Sequence, residues 1–264
     1  MKLGFIGTGN MASAIMGGVI NKELIPANEI IGADLFAPGR ERVKAQFGIN
    51  VTASNKEVVE NADVIILSVK PQFYADVISE IKDVVKDNQI IITIAPGKTL
   101  AWLAEQFGKD VKIVRTMPNT PAMVGEGMTA ACPNEHMTEE EIAYAKTILE
   151  SFSKVEIVPE RLMDTVTAVS GSSPAYVYMF IEALADAAVL GGMPRPQAYK
   201  FAAQAVLGSA KMVLETGKHP GELKDMVCSP AGTTIGAVRV LEEKGFRSAV
   251  IEATKKCEEI SRSL

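Results

Sequence analysis

The feature that most constrains this sequence is a glycine-rich turn near its start, Gly7-Thr8-Gly9-Asn10-Met11-Ala12. A short apolar run precedes the turn, and apolar residues at helical spacing follow it. Read as strand, turn and helix, the segment lets the backbone approach a bound group at two glycines, while the small Ala12 lets helix and strand pack closely. The first helical turn would offer unpaired N–H groups and the positive dipole end to a pyrophosphate. The pattern therefore predicts a dinucleotide-binding turn, with a purely structural turn as the alternative.

Asp34 supports the dinucleotide interpretation. It ends a second apolar run, at roughly the twenty-residue offset from the turn at which an acidic residue can accept hydrogen bonds from ribose hydroxyls. An acidic residue there favours the free ribose of NADH and repels a 2′-phosphate. Arg40 and Arg42 lie close by in sequence and could offset that repulsion.

The first 160 residues alternate short apolar runs with segments of helical spacing, such as residues 74–85. Alternating strands and helices predict an α/β fold, a doubly wound parallel sheet of Rossmann type. The predicted strands are residues 3–6, 30–33, 64–69, 90–94 and 113–114. Ligands of such sheets bind beyond the carboxyl ends of the strands. The segments that follow those ends, including 70–72 and 116–120, are therefore candidates for the site.

The sequence changes character after about residue 160, so we predict a dinucleotide-binding domain over residues 1–160 and a helical domain over 161–264. Helical patterns rich in alanine and methionine cover residues 175–190, 196–216 and 237–262. A helical domain of about 100 residues with so much apolar surface would bury only a small core by itself. We therefore expect it to pack against a second copy, giving a homodimer or a larger assembly. The stretch 175–193 carries Glu182 and Asp186 and is interpreted as a buried helix rather than a membrane span.

Composition excludes several function classes. The net charge of −5, without any block of Lys or Arg, argues against a nucleic-acid partner. The three cysteines never form a C-x-x-C pair, and the two histidines, His136 and His219, have no ligand-type neighbours at metal spacing, so we predict no metal. The apolar core near the N-terminus is too short for a signal peptide. We expect a cytoplasmic protein that does not use a membrane.

Two segments of the helical half are rich in hydroxyls, residues 170–174 and 228–234. Serine and threonine before a helix cap its orphan N–H groups. The same groups at a helix N-terminus can also hold a small carboxylate. The residues favour capping for the first segment and leave capping and anion binding equally open for the second.

Five motifs together resemble the pyrroline-5-carboxylate reductase family, and the resemblance covers essentially the whole chain in order. They are the glycine turn, Val69-Lys70-Pro71, Arg115-Thr116-Met117-Pro118-Asn119-Thr120-Pro121, Ser170-Gly171-Ser172-Ser173-Pro174-Ala175-Tyr176, and Leu223-Lys224-Asp225-Met226-Val227-Cys228-Ser229-Pro230-Ala231-Gly232-Thr233-Thr234-Ile235. The last is the most specific. One departure is Ala231, where many relatives carry glycine. Alanine should be tolerated there if the backbone does not need a positive φ.

The resemblance implies reduction of the cyclic imine of 1-pyrroline-5-carboxylate to L-proline by NADPH or NADH. It also implies a helical domain that interlocks two subunits, often in a ring of dimers. The implied cofactor contacts are Gly7, Thr8, Gly9, Asn10, Met11, Asp34, Asn55, Val69, Lys70, Pro71, Met117 and Asn119. The implied substrate contacts are Ser172, Ser229, Gly232, Thr233 and Thr234. Thr234, close to the ring nitrogen, and Lys70 form the implied catalytic group.

Two other functions are weighed against this one. A β-hydroxyacid dehydrogenase, or another imine reductase on the same two-domain plan, is the nearest. As a class, the dehydrogenases carry a catalytic lysine on the first helix of the helical domain, whereas here no lysine precedes Lys200 in that region. A non-catalytic cofactor-sensing protein is the second alternative, and turnover rather than mere nucleotide binding would distinguish it.

Overall fold

The computed structural model describes residues 1–263 and divides into two compact units. The first unit comprises Met1–Ser172 and the C-terminal residues from Cys257 onward, and the second comprises Ser173–Lys256. The first unit is built on one β-sheet, whereas every regular element of the second is a helix. The predicted fold class, a doubly wound α/β sheet followed by helices, is confirmed.

Within residues 1–263, eight strands form a single sheet in the order β3-β2-β1-β4-β5-β6-β7-β8. The strands are β1 Leu3–Ile6, β2 Ile30–Ala33, β3 Asn50–Thr52, β4 Val64–Leu67, β5 Ile90–Thr93, β6 Lys112–Met117, β7 Gly127–Pro133 and β8 Ser153–Ile157. Strands β1 to β6 are parallel, β7 runs antiparallel to β6, and β8 is parallel to β7. Ile6 lies in register with Ala33 and Leu67, so β1, β2 and β4 end together at one edge.

Helices connect these strands and continue to the C-terminus. They are α1 Asn10–Asn21, α2 Ala37–Phe47, α3 Asn55–Asn61, α4 Tyr74–Ile81, α5 Leu100–Phe107, α6 Glu139–Glu150, α7 Met163–Val166, α8 Ser173–Leu190, α9 Arg195–Thr216, α10 Pro220–Val227, α11 Thr233–Glu243 and α12 Phe246–Arg262. The segment Gly97-Lys98-Thr99, which superficially resembles part of a phosphate loop, is a helix start. The Thr99 side chain caps α5 by accepting from the Trp102 N–H.

The sheet is apolar on both faces because helices cover both. Ile66 of β4 belongs to a core that includes Ile15 of α1, whereas its neighbour Ile65 belongs to a second core that includes Ile78 of α4. All four residues of β4 are buried. A strand in this position must be apolar at every residue, which is why β4 and β5 are readily identified from the sequence.

Three strands were not predicted, and each lacks the continuous apolar run. β3 is a three-residue edge strand that begins with Asn50. β7 is buried yet composed largely of small residues, and β8 alternates buried and exposed positions in its first three residues, starting at Ser153. Both follow the point at which the sheet changes from parallel to antiparallel pairing.

The helical unit corrects two expectations. The single helix predicted over residues 237–262 is two helices, α11 and α12, separated by Gly245 at a φ of +73°. The helix predicted to be buried over residues 175–193 is largely exposed within one chain, because Ala185 is the only fully buried residue of α8. The unit's small core comprises Ala185, Ala198 and Ala202.

In the part of the chain that the structure describes, one helical stretch, Glu160–Leu190, is long and apolar enough to cross a bilayer by length and composition alone. Only 6% of its most apolar window is buried within the chain. A helix that packs in a subunit interface has the same composition, so this finding by itself does not identify a membrane span.

Candidate functional site

The glycine turn follows β1 and has a backbone that only glycine can adopt at its first position. Gly7 has a φ of +99°, and its N–H donates to the Ala33 carbonyl over 2.8 Å. A Cβ at Gly7 would stand 2.7 Å from the Ser68 carbonyl oxygen. The turn is therefore fixed between the ends of β2 and β4.

The start of α1 has the properties of a phosphate seat. Gly9 is the N-cap residue, and no side chain caps the helix. A Cβ on Gly9 would meet no protein atom within 4 Å, so the space beyond it is open. The leading N–H groups of a helix have no intrahelical acceptor, and no side chain caps them here. These residues fit a dinucleotide pyrophosphate.

Asp34 braces the glycine turn from the end of β2. One carboxylate oxygen accepts from the Thr8 N–H over 2.9 Å and from the Thr8 hydroxyl over 3.0 Å. The other accepts from the Phe36 N–H over 2.9 Å. A carboxylate offers about four acceptor positions, so three are used within the chain and one remains for a ribose hydroxyl.

Two arginines of α2 reach the glycine turn and the end of β2 without pairing with the Asp34 carboxylate. Arg42 donates to the Thr8 carbonyl over 2.6 Å, and Arg40 donates to the Asp34 carbonyl. Both guanidinium groups therefore bind backbone oxygens rather than the carboxylate. They add positive charge next to the glycine turn.

A cavity of about 510 Å³ opens beside Gly7 and Asp34. Its lining includes two exposed aromatic side chains, Phe36 and Phe73, which offer flat apolar surfaces to a ring system. It also includes Asn55, which is buried and whose amide donates to Glu80 over 2.7 Å.

Besides Asp34, the cavity is lined by the carboxylates of Asp76 and Glu80, and its lining residues include neither lysine nor arginine. Sequence reasoning missed Phe73, Asp76 and Glu80, whereas Phe36 lies in one of the segments after a strand end that it marked as a candidate. The i, i+4 spacing of Asp76 and Glu80 on the helix that follows Lys70-Pro71 is the signal that could have found them.

The segment after β4 carries Val69, Lys70 and Pro71. Pro71 begins a 3-10 turn, Pro71–Phe73, with the exposed Lys70 as its N-cap residue. Tyr74, which is fully buried, follows this turn and donates from its hydroxyl to the Leu67 carbonyl over 2.5 Å. Burial raises the pKa of this tyrosine, so it stays neutral and anchors the segment to the end of β4.

An ion pair joins β6 to the turn after β8. Arg115, 4% exposed, donates to Glu160 over 2.8 Å, and the same carboxylate oxygen accepts from the Leu100 N–H over 2.7 Å. Cys132 stands opposite Arg115 in the β6–β7 register, and burial raises the pKa of its thiol. This cysteine is therefore a packing residue rather than a nucleophile.

The first hydroxyl-rich segment is not a loop before a helix, as its sequence had suggested. Thr167–Gly171 forms a π-helical turn between α7 and α8, closed by the Ser172 N–H donating to the Thr167 carbonyl over 2.8 Å. Gly171 faces the loop after β6, because a Cβ there would stand 2.5 Å from the end of the Met117 side chain. Met117 and Ser172, two predicted site residues, thus lie in segments that meet.

The second hydroxyl-rich segment, in the helical unit, precedes α11. Gly232 is the N-cap residue and its N–H donates to the Ser229 carbonyl over 3.0 Å, yet no side chain caps the helix. A Cβ on Gly232 would stand 2.3 Å from the Ser229 hydroxyl oxygen. Thr233 and Thr234 lie in the first turn of α11 and are not its caps. This geometry favours anion binding over capping.

Ala231 adopts a φ of +57° in this segment, so the backbone does require the left-handed conformation. The expectation that alanine is tolerated here assumed a backbone without a positive φ, and the structure contradicts that assumption. Within residues 1–263, no group of three His, Cys, Asp or Glu side chains is placed to hold a metal ion.

Comparison with known proteins matches two family models to this chain. Residues 160–264 match the dimerisation domain of pyrroline-5-carboxylate reductase, and residues 2–97 match NADP oxidoreductase, coenzyme F420-dependent. A pyrroline-5-carboxylate reductase of Escherichia coli is 56% identical over 266 residues, covering 100% of this chain and 98% of that protein.

Two solved structures are similar over nearly the whole chain. A pyrroline-5-carboxylate reductase of Coxiella burnetii has a TM-score of 0.92 at 34% identity, covering 99% of this chain and 97% of the other. A Plasmodium falciparum pyrroline carboxylate reductase with NADP bound has a TM-score of 0.91 at 33% identity, covering 100% of this chain and 97% of the other.

Proposed function

The chain belongs to the pyrroline-5-carboxylate reductase family, and on that premise we propose how its residues carry out the reaction. It is an NAD(P)-dependent oxidoreductase that acts on a CH–NH group. It reduces the cyclic imine of 1-pyrroline-5-carboxylate to L-proline, the final step of proline biosynthesis, with NADH or NADPH. The roles of individual residues are the proposal.

The cofactor site is proposed from one observation above all, the uncapped start of α1 facing open space beyond Gly9. The pyrophosphate would lie against residues 7–11, and the adenosine would occupy the cavity lined by Asp34 and Asn55. Five residues are proposed at the nicotinamide end: Val69, Lys70, Pro71, Met117 and Asn119. Bound NAD(P)H supplies the hydride.

The substrate carboxylate is proposed to bind at the uncapped start of α11. Ser229, Gly232 and Thr233 would provide backbone N–H groups and hydroxyls, and the helix N-terminus adds a favourable dipole. Ser172 would contribute from the π-helical turn.

The proposed chemistry needs orientation more than acid–base catalysis. An imine that arrives protonated is already activated toward hydride, so no general base is required. We place the Thr234 hydroxyl next to the ring nitrogen, where it can hold the N–H during reduction. Lys70, exposed at the carboxyl edge of the sheet, is proposed as the second member of the catalytic group.

We further propose a dinucleotide-binding domain over residues 1–160 and a substrate-binding and dimerisation domain over 161–264. The protein forms homo-oligomers and acts on a small molecule. A homodimer, assembled into a ring of dimers, is the proposed form. We place the enzyme in the cytoplasm, without a membrane or nucleic-acid partner.

The test is imine-dependent oxidation of NADH and NADPH by the wild-type protein, followed by absorbance, with Thr234→Ala as the comparison. We expect rapid oxidation in wild type that depends on 1-pyrroline-5-carboxylate. Thr234→Ala should lower kcat by about tenfold or more while the NADH dissociation constant stays within about twofold.

Oxidation of NADH or NADPH that depends on the keto form of a β-hydroxyacid, and not on the imine, would instead support the dehydrogenase alternative. Tight cofactor binding without turnover on either substrate would support a cofactor-sensing protein. Equal losses of turnover and NADH affinity in Thr234→Ala would contradict the role given to Thr234.

A further inference from the structure

A proline stands inside the long helical stretch that joins the sheet to the second unit. Pro174 is the second residue of α8 and follows Ser170 by four positions. In an α-helix the Ser170 carbonyl would accept a hydrogen bond from the N–H of residue 174, but proline has no N–H. The sequence therefore deprives the Ser170 carbonyl of its helical partner.

Asn119 supplies the missing partner from the loop after β6. Its side-chain amide donates to the Ser170 carbonyl over 3.2 Å and lies 3.3 Å from the Ser170 hydroxyl. Its side-chain oxygen accepts from the Met128 N–H, at the start of β7, over 2.9 Å. One side chain thus joins the loop after β6 to two segments, the start of β7 at Met128 and the π-helical turn at Ser170.

The widened turn accommodates this arrangement. The turn Thr167–Gly171 is π-helical, a form that often occurs as a single turn at functional sites. The adjoining Gly171 leaves room for the Met117 side chain. Asn119, Met117, Met128, Ser170 and Gly171 therefore join the end of β6 and the start of β7 to the π turn, and we call this set the Asn119 clamp.

We propose that Asn119 is a positioning residue, which acts through the Ser170 carbonyl to fix Ser172 relative to Met117 at the end of β6. This rests on the proposed function, in which Met117 lies by the nicotinamide and Ser172 by the imine. Asparagine is required because the clamp needs a donor toward Ser170 and an acceptor toward Met128 at once. In Asn119→Asp, a side chain of nearly the same shape would place a carboxylate oxygen against the Ser170 carbonyl oxygen. Both atoms are acceptors, so the hydrogen bond would be lost.

A double-mutant cycle between Asn119 and Pro174 tests the proposal. Asn119→Ala and Asn119→Asp should each lower kcat/KM for the imine by about tenfold or more, since small misplacements of a reacting pair are costly. The NADH dissociation constant should change by less than about threefold. In Pro174→Ala, residue 174 regains an N–H for Ser170, so the loss caused by Asn119→Ala should shrink by at least about threefold.

Asn134, which follows β7, provides a matched control at the other end of the β6–β7 pair. Its side chain also forms a two-sided clamp, accepting from the Ile113 N–H over 3.1 Å and donating to the Val111 carbonyl over 2.8 Å, at the opposite end of β6. Asn134→Ala should lower the melting temperature as Asn119→Ala does. It should leave kcat/KM nearly unchanged and show no coupling to Pro174→Ala.

Three results would overturn the proposal. The first is an Asn119→Ala variant that loses stability like Asn134→Ala but keeps its kcat/KM. The second is a rise in the NADH dissociation constant as large as the loss in kcat/KM, which would mean that Asn119 acts through cofactor binding and not through the Ser170 carbonyl. The third is a loss in kcat/KM from Asn119→Ala that is equally large in the wild-type background and in the Pro174→Ala background.

The melting temperatures of the same four cycle variants separate this proposal from the proposed function. Coupling between positions 119 and 174 in thermal unfolding does not depend on the substrate. An inactive wild type would contradict the function, whereas an active wild type without coupling would contradict the clamp.

Discussion

At the scale of single residues, Asp34 both braces the glycine turn and lines the adjacent cavity. Its carboxylate accepts three hydrogen bonds within the chain, two of them from Thr8. It therefore shapes the glycine turn before any cofactor binds. Its charge nevertheless lies on the lining of the cavity, together with those of Asp76 and Glu80. A 2′-phosphate entering this cavity would meet three carboxylates.

The first prediction concerns cofactor choice. Asp34→Asn removes one negative charge from the cavity, and an amide cannot accept at both of its ends. We expect weaker binding of both cofactors, with the ratio of kcat/KM for NADPH to that for NADH rising about tenfold. Steady-state kinetics with both cofactors measures the ratio. Asp87→Asn, at an exposed position outside the cavity lining, is the control.

An unchanged ratio in Asp34→Asn would show that the carboxylate does not face the ribose. In that case the positive charges of Arg40 and Arg42 would remain the determinants to test on this turn.

The second prediction concerns backbone strain at Ala231. An L-residue with a Cβ pays about 1 kcal/mol or more in the left-handed region, which glycine avoids. Ala231→Gly should therefore raise the free energy of unfolding by up to about 1 kcal/mol, after allowance for the larger entropy of unfolded glycine. Thermal unfolding measures the change. A lower melting temperature would contradict the assignment of strain to this position.

At the scale of elements, helices α1 and α11 begin in the same way. Each begins at a glycine N-cap, and neither is capped by a side chain. By contrast, α5 and α6 lie in the same chain with side-chain caps, Thr99 and Thr138. The absence of a cap at α1 and α11 leaves N–H groups available where the proposed ligands carry negative charge.

The third prediction concerns the capping box of α6. The Glu141 side chain accepts from Lys112 over 2.6 Å and from the Thr138 N–H over 3.0 Å. The Lys112 hydrogen bond, followed by that from Thr138, lowers the pKa of this carboxyl. A lowered pKa stabilises the fold above the ordinary glutamate range, and this contribution is lost as pH falls through the lowered value.

Glu141→Gln should therefore be less stable than wild type near neutral pH, and the difference should shrink as pH falls below the glutamate range. Chemical denaturation at a series of pH values measures the trend. A difference that grows toward acid would contradict the assigned direction of the pKa shift.

Much of the first unit could be predicted because single residues carry strong local signals. The glycine turn, β1, β2, β4 and β5 follow from glycine positions and continuous apolar runs. β7 and β8 could not be found this way, since small residues and alternation fit many structures. The Asn119–Ser170 contact joins residues 51 positions apart, and only the missing N–H of Pro174 hinted that Ser170 needed a partner.

At the scale of the whole molecule, the helical unit exposes an unusual share of its large apolar side chains within one chain. Met179 of α8 is 67% exposed and Phe201 of α9 is 61% exposed, while the unit's own core consists of three alanines. Exposed apolar area of this kind is typical of a surface that packs against another protein subunit. It agrees with the homo-oligomer that the dimerisation domain indicates.

The fourth prediction follows from that surface. Met179→Glu places a charge on the exposed face of α8 and should convert the oligomer to smaller species, because burying an unpaired charge in an interface is costly. Light scattering measures the molar mass. Gln46→Glu, at an exposed position on α2, adds the same charge and should leave the mass unchanged. An unchanged mass for Met179→Glu would remove α8 from the interface.

The central claim is that the glycine turn seats the cofactor of an imine reductase, and Gly9→Ala tests it most directly. The φ of Gly9 is −71°, and a Cβ there meets no protein atom within 4 Å, so the protein itself tolerates the methyl group. Only a pyrophosphate in the open space would be displaced. Gly17→Ala, on the same helix, is the control.

The measurement is the NADH dissociation constant of both variants, with melting temperature and imine-dependent turnover recorded alongside. We predict that Gly9→Ala raises the dissociation constant about tenfold or more and lowers kcat/KM, with a melting temperature within a few degrees of wild type. Gly17→Ala should bind NADH as wild type does. Wild-type NADH affinity in Gly9→Ala would contradict the account.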